Sequence, residues 1–515
     1  MSFVSLMKYS GRKSTQQIVT FGGIRYSRGG SDGEFSETTN LSARQFPSLS
    51  QRGGRRLEKT YSSATALYSK NGKLLVIDGT DVLFDGKKVG TVIPGEKMIC
   101  AVNSKIVIFP DKEYYDTELE KFGTMDVKLT VAYQNVEWGT NTLRISGSGD
   151  LSKLFSVGQG IEISGSSISA NNKTAVIRGV SEDTLTFSDN TFSERRESGT
   201  INVERKIPDL VCICESANRL WGAEGKTIWA SAQGDPLTFY NYDGLATDSF
   251  AVAVGTDGDF TGCISYSSNV LFFKENALHK VLGTMPSDYR VYDYTVPGVQ
   301  EGSQKSMEVI NEILFYKGVA GIYSFSGSAP ALISDNFGTR RFKNARAGTD
   351  GTIYYICMQE ETQEGDGAWD LYTFDPSSGI WLREDSSHIL DFTRQDTDLY
   401  ALASDGAVYK LDDVAEDDLY WEAVFYPFDE TLYGKRGYSK LWAKLELSQG
   451  AWMKAEISQD GGPFRQVGLW SNRNRETVLA TMFPGRCDTF QLKLSGKGRC
   501  VIKSLVREFL VNSTK

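Results

Sequence analysis

The sequence predicts an all-β protein: a β-propeller of six or seven blades with an inserted small β-barrel and a C-terminal β-sandwich. Three observations carry that expectation. Gly numbers 51 against only 12 Pro, and aromatic residues make up 12% of 515, a mix suited to short strands and tight turns rather than long helices or disorder. Short aromatic-rich runs recur in pairs at a loose period of about 40–50 residues, the spacing of propeller blades. Asp-Gly pairs, at Asp32, Asp78, Asp85, Asp243, Asp257, Asp350, Asp366, Asp405 and Asp460, punctuate these runs. Asp and Gly tolerate the positive φ of hairpin turns, so these acids are expected as turn formers rather than catalytic groups.

The paired runs place the blades. They are Gly72–Gly79 with Val82–Gly86, Asn218–Gly222 with Thr227–Ser231, Asn269–Phe273 with Ala277–Val281, Glu312–Tyr316 with Gly321–Phe325, Thr352–Ile356 with Asp370–Phe374, and Asp398–Leu402 with Ala407–Leu411. Each reads as two alternating strands joined by a short turn. Blades are therefore expected over 61–123 and 207–418. Residues 124–206 break into the second blade with a more polar pattern of six short strands, from Leu129–Tyr133 to Gly199–Val203, which predicts a small barrel. From 419 to 515 the alternation of Lys440–Leu447, Trp452–Ile457, Thr489–Leu494 and Val501–Leu505 predicts a sandwich with wet outer faces.

Charge is split along the chain. The net charge is −9, yet residues 1–60 hold ten Lys/Arg and four acids, so that segment is +6 and the remaining 455 residues carry −15. The basic residues Lys8, Arg12, Lys13, Arg25, Arg28, Arg44, Arg52, Arg55, Arg56 and Lys59 are expected on a Gly- and Ser-rich arm that orders against a partner, with Lys8 to Arg56 as candidate docking groups. Deleting 1–60 is expected to leave the propeller intact but to abolish ring formation or docking. An acidic body argues against a whole-surface nucleic-acid binder. The seven cysteines lie in apolar runs such as Leu210–Cys214 and read as small buried hydrophobes. No apolar run is long enough for a signal peptide or membrane span, so folding in a reducing cytoplasm is expected.

A search for chemistry is mostly empty. His279 and His388 each sit in an apolar run without His, Cys or carboxylate at metal-ligand spacing. Nucleophile-elbow, zincin and phosphate-loop motifs are lacking. Cys212 and Cys214 share one strand face rather than a redox turn. The acids Asp412, Asp413, Glu416, Asp417 and Asp418 fall in a polar linker, and Phe374–Trp381 does not match the sialidase Asp-box spacing. The expectation is a protein that is not an enzyme, without cofactor, metal or catalytic residues. A glycosidase pair of acids leaves no spacing to search for, which keeps a glycan-degrading propeller as an alternative.

Several segments resemble the β-propeller tail hub and nozzle proteins of tailed bacteriophages, of the packaged-DNA stabilisation type. They are Asn40–Arg52, Pro208–Leu210, Ser216–Gly222, Ile228–Pro236 with Phe239, Phe272–Asn276 and Gly318–Tyr323, with Phe155–Gly158 and Asn171–Thr174 in the insert. The resemblance implies a virion tail protein, made in the host cytoplasm. It would form a homo-oligomeric ring, typically a hexamer, below portal and adaptor. There it would retain the genome and then release double-stranded DNA without reading its sequence. Receptor binding at the tail tip is a further alternative.

Overall fold

A computed structural model of the protein describes residues 12–27, 30–187, 192–193, 200–414, 418–428, 435–471, 476–482 and 486–511. The chain divides into two compact units: Met1–Tyr61, Ala320–Ser324 and Ala331–Lys515 form one, Ser62–Val319 and Phe325–Pro330 the other.

The fold class is the one the sequence predicts, an all-β propeller, and the described residues form seven four-stranded sheets. In the second unit, blade one comprises Ala64–Lys70, Lys73–Asp78, Asp81–Phe84 and Lys87–Thr91. Blade two comprises Met98–Val102, Lys105–Phe109, Glu113–Asp116 and Lys121–Thr124. Blade three runs from Cys212–Ser216 to Phe250–Ala253 and blade four from Gly262–Tyr266 to Arg290–Tyr294. Blade five runs from Glu308–Ile310 to Ala331–Leu332. In the first unit, blade six spans Arg341–Thr349 to Ile380–Asp385. Blade seven takes Ile389–Gln395, Asp398–Ala403 and Ala407–Val414 and then borrows Gly54–Thr60 as its fourth strand.

The paired aromatic runs are the two middle strands of their blades. In blade four, Val270 to Lys274 are all buried, so this strand is covered on both faces, and Val270 to Phe273 read as a continuous apolar run that ends on the buried Lys274. Trp221, Phe260, Phe272 and Val281 pack into one core shared by blades three and four. Hairpins between the first two strands use consecutive left-handed residues, with φ of 52° and 61° at Ala217 and Asn218 and 46° and 62° at Ser267 and Ser268. Such turns match strand twist without Asp-Gly.

The inserted module follows a completed blade two instead of interrupting it. Its seven-stranded sheet, from Val127–Ala132 to Thr200–Arg205, encloses its own core of Leu143, Ile145, Phe155, Ile161, Ile177 and Phe187. Arg205 fastens it to the preceding strand. The guanidinium is 5% exposed and donates to the carbonyls of Met125 (2.8 Å), Leu154 and Thr124.

The largest departure from expectation is the N-terminal segment. Of its described residues, Arg12–Ile18 pairs antiparallel with Cys500–Val511, Leu49–Gln51 continues along the same edge, and Phe35–Thr39 pairs with Tyr420–Phe425. The sandwich is thus built from both ends of the chain. One sheet includes Arg436–Leu447, Cys500–Val511 and Glu476–Thr481; the other includes Tyr420–Phe425, Phe490–Lys497 and Trp452–Gln459. Ile18, Phe21, Phe35, Leu41 and Leu49 lie in its core, with the Phe35 ring 4.9 Å from Phe425. Residues 12–27 and 30–60 therefore belong to the folded body, and the apolar residues between their arginines supply part of the sandwich core.

Deleting 1–60 is now expected to unfold the sandwich and strip blade seven of a strand, visible as a lost cooperative transition in circular dichroism. A truncated chain melting like the full one would contradict this. Phe35→Ala alone should cost about 3–5 kcal/mol in chemical denaturation.

Candidate functional site

The basic residues proposed as docking groups are, where described, mostly committed to carboxylates of their own chain. Arg25 donates to Glu34 at 2.9 Å, and Arg56 to Glu58 at 2.7 Å. Arg55 lies 2.7 Å from Glu384 and 2.8 Å from Asp385, while Arg52, 8% exposed, donates to Asn40 at 2.8 Å and faces the same two acids. Arg44 binds Asp350 and Asp412 and donates to the Tyr355 hydroxyl at 3.2 Å. Burial alone would raise the Asp350 and Asp385 carboxyls; backbone hydrogen bonds and these arginines hold both below their usual range. Lys13 reaches Glu508 at 3.8 Å. Lys8, Arg28 and the side chain of Arg12 lie outside the described residues. These arginines hold strands in place; they do not form a free arm.

The motif pair behind the family resemblance has a physical basis. Arg219, 1% exposed, donates to the carbonyls of Ser231 (2.8 Å), Ala246 (2.6 Å) and Asp248. The Leu220 N–H donates to the Ser231 hydroxyl, and Asp235 accepts from Leu237 N–H and the Thr238 hydroxyl. Asn218–Gly222 and Ser231–Pro236 thus form one hydrogen-bonded unit that shapes the loop after blade three's third strand. Desolvation lowers the pKa of Arg219, which has carbonyls in place of a carboxylate.

The one histidine site of note escaped the sequence. His279, with no exposed surface, has its Nδ1 2.6 Å from Asp293 and its Nε2 2.9 Å from the Thr256 hydroxyl. Its partner lies directly across the strand pair in blade four. A carboxylate only accepts, so Nδ1 carries the proton and Nε2 accepts from Thr256. Lys274, 1% exposed, donates to the Thr256 carbonyl at 2.8 Å and lies 4.9 Å above the Phe260 ring; burial depresses its pKa. The group borders a cleft of about 520 Å³ lined by Asp257, Asp259, Lys274, Glu275 and Glu301. Hydroxyl, imidazole and carboxylate stand in the order in which a ring takes a hydroxyl proton. The same bonds anchor the loop leading into blade four. Among the described residues no cluster of His, Cys, Asp and Glu is arranged to hold a metal ion. His388 instead stacks on Trp369, with ring centroids 3.9 Å apart.

No protein-family model matches the chain, and no curated protein matches it. Similar solved structures include an exo-beta-1,3-galactanase from Phanerochaete chrysosporium with galactose, at 8% identity, covering 56% of this chain and 92% of that one with a TM-score of 0.23. Hsv2 from Kluyveromyces lactis is 9% identical over 60% of this chain and 69% of its own, TM-score 0.29. A glycoside hydrolase family 43 arabinoxylan arabinofuranohydrolase from Bacillus subtilis, in complex with cellotetraose, is 9% identical over 56% and 75%, TM-score 0.18. One expectation is corrected by them. The chain was expected not to be an enzyme, and the solved structures similar to it include glycoside hydrolases, so that expectation is withdrawn. Likeness at this level passes no substrate to this chain.

Two measurements follow from the geometry. Burial pushes His279 below the ordinary histidine value, and His388 likewise. A histidine whose folded pKa lies below its unfolded value, about 6.5, stabilises fully above that pH and loses its contribution as pH falls through the folded value. Melting temperature should therefore drop from pH 7 to pH 5, with a smaller drop in His279→Gln; a flat profile for the native chain would contradict the burial. Arg219→Met leaves its buried carbonyls without their donor and should cost at least about 2 kcal/mol in urea denaturation.

Proposed function

We propose that the protein is a structural component of the tail or neck of a tailed-bacteriophage virion. In this reading it is a nozzle or hub protein, assembled as a homo-oligomeric ring, a hexamer, around the DNA channel below portal and adaptor. It retains the packaged genome and then lets it leave. The observation that carries the reading is the motif pair Asn218–Gly222 and Ser231–Pro236, two of the segments that resemble that family, joined in one unit by Arg219 and Ser231. The charge split adds support. Residues 61–515 carry −15, and an acidic lumen repels a phosphate backbone, so DNA slides past it without sequence-specific contacts. Arginines consumed in internal ion pairs leave the docking of adaptor or tail partners to other surfaces.

Native mass spectrometry and particle imaging of the full chain, alone and with its neck or tail partner, test the reading. A closed ring is the expected species. A monomer that persists with the partner present would overturn it.

A further inference from the structure

The sandwich sheet containing Arg436–Leu447, Cys500–Val511 and Glu476–Thr481 turns one face inward. Leu441, Ala443, Leu445, Val478 and Ala480 fill the core from it. Strand side chains alternate, so Lys440, Trp442 and Lys444 on one strand and Thr477, Leu479 and Thr481 on the next point the other way. Trp442 stands opposite Leu479 on one side and Val506 on the other, which makes an apolar stripe three strands wide. Leu479 is 46% exposed, and Thr477, Thr481 and Lys444 are exposed with it.

Charge on this face is unbalanced. Lys440 and Lys444 flank Trp442 by two residues each, about 6–7 Å along the strand in either direction, and the Lys440 ammonium lies 5.6 Å from the indole centroid. Among the described residues neither lysine joins an ion pair, whereas the nearby carboxylates are engaged: Glu446 by Lys503 at 2.7 Å, Glu508 by the Ser439 hydroxyl at 2.7 Å and by Lys13. Two positive charges are left over beside an indole and a row of hydroxyls.

We propose that this outer face binds an acidic polysaccharide, a chain of pyranose rings bearing carboxylates. The apolar face of one pyranose stacks on Trp442, the threonine hydroxyls meet sugar hydroxyls, and Lys440 and Lys444 pair with carboxylates on rings to either side. A DNA duplex fits less well, because it presents no open ring face to an indole and its affinity grows with many phosphate contacts, of which this face offers two. The proposal stands apart from the virion reading; either can fail while the other stands.

Isothermal titration of the full chain with polygalacturonate, with dextran as the neutral chain and a short DNA duplex as the other polyanion, tests it. Polygalacturonate should bind in a salt-sensitive manner and dextran should not. Trp442→Ala, and separately the pair Lys440→Gln with Lys444→Gln, should each weaken binding about tenfold, while Trp442→Phe retains it. Absence of polygalacturonate binding, equal binding of dextran, tighter binding of the duplex, or affinity unchanged in the variants would each overturn the proposal. If Trp442→Ala does not fold, the surface lysine pair decides.

Discussion

Pairing between the two ends of the chain is the constraint on which the rest depends. Gly54–Thr60 completes blade seven beside Ala407–Val414, and the strands before it edge the sandwich beside Cys500–Val511 and Tyr420–Phe425. Closing a loop of several hundred residues costs about 5 kcal/mol, since the penalty grows only with the logarithm of length. Burial of Ile18, Phe21, Phe35, Leu41 and Leu49 in one core offsets that. The ion pair of Arg55 with Glu384 ties Gly54–Thr60 to the last strand of blade six.

The legible part of this fold was local. Val270–Phe273 and its equivalents announce themselves because a strand covered on both faces is largely apolar, and Asp85 with Gly86 marks a hairpin because both adopt positive φ. Blade two was harder to read: Pro110, Asp111 and Lys112 join its middle strands, where blades one, three, five and seven place Gly. The role of residues 12–60 was hidden for a different reason. Residues 1–60 hold ten basic residues against four acids, while the carboxylates that pair with Arg44, Arg52 and Arg55 lie hundreds of residues away at Asp350, Glu384, Asp385 and Asp412. Charge counted along a segment says nothing of charge partnered across a sheet.

The candidate site shows the same limit. His279 sits in an apolar run and is buried, yet Thr256 and Asp293 give both ring nitrogens a partner through a loop and a cross-strand neighbour. A spacing search for metal ligands does not reach such an arrangement. The motif unit around Arg219 is the reverse case. Its residue pattern was visible, and the reason for it, one buried guanidinium serving the carbonyls of Ser231, Ala246, Thr247 and Asp248, needed the fold. Propellers host both binding and catalysis, so function has to be argued from such sites and from assembly.

Hydrogen–deuterium exchange on the full chain tests the central claim most directly, namely that the basic N-terminal segment is part of the folded body. Amides of Arg12–Ile18 and Gly54–Thr60 are predicted to be protected as strongly as those of their partners Cys500–Val511 and Ala407–Val414. Exchange of Gly54–Thr60 at the rate of an unstructured chain, beside a protected Ala407–Val414, would contradict the account.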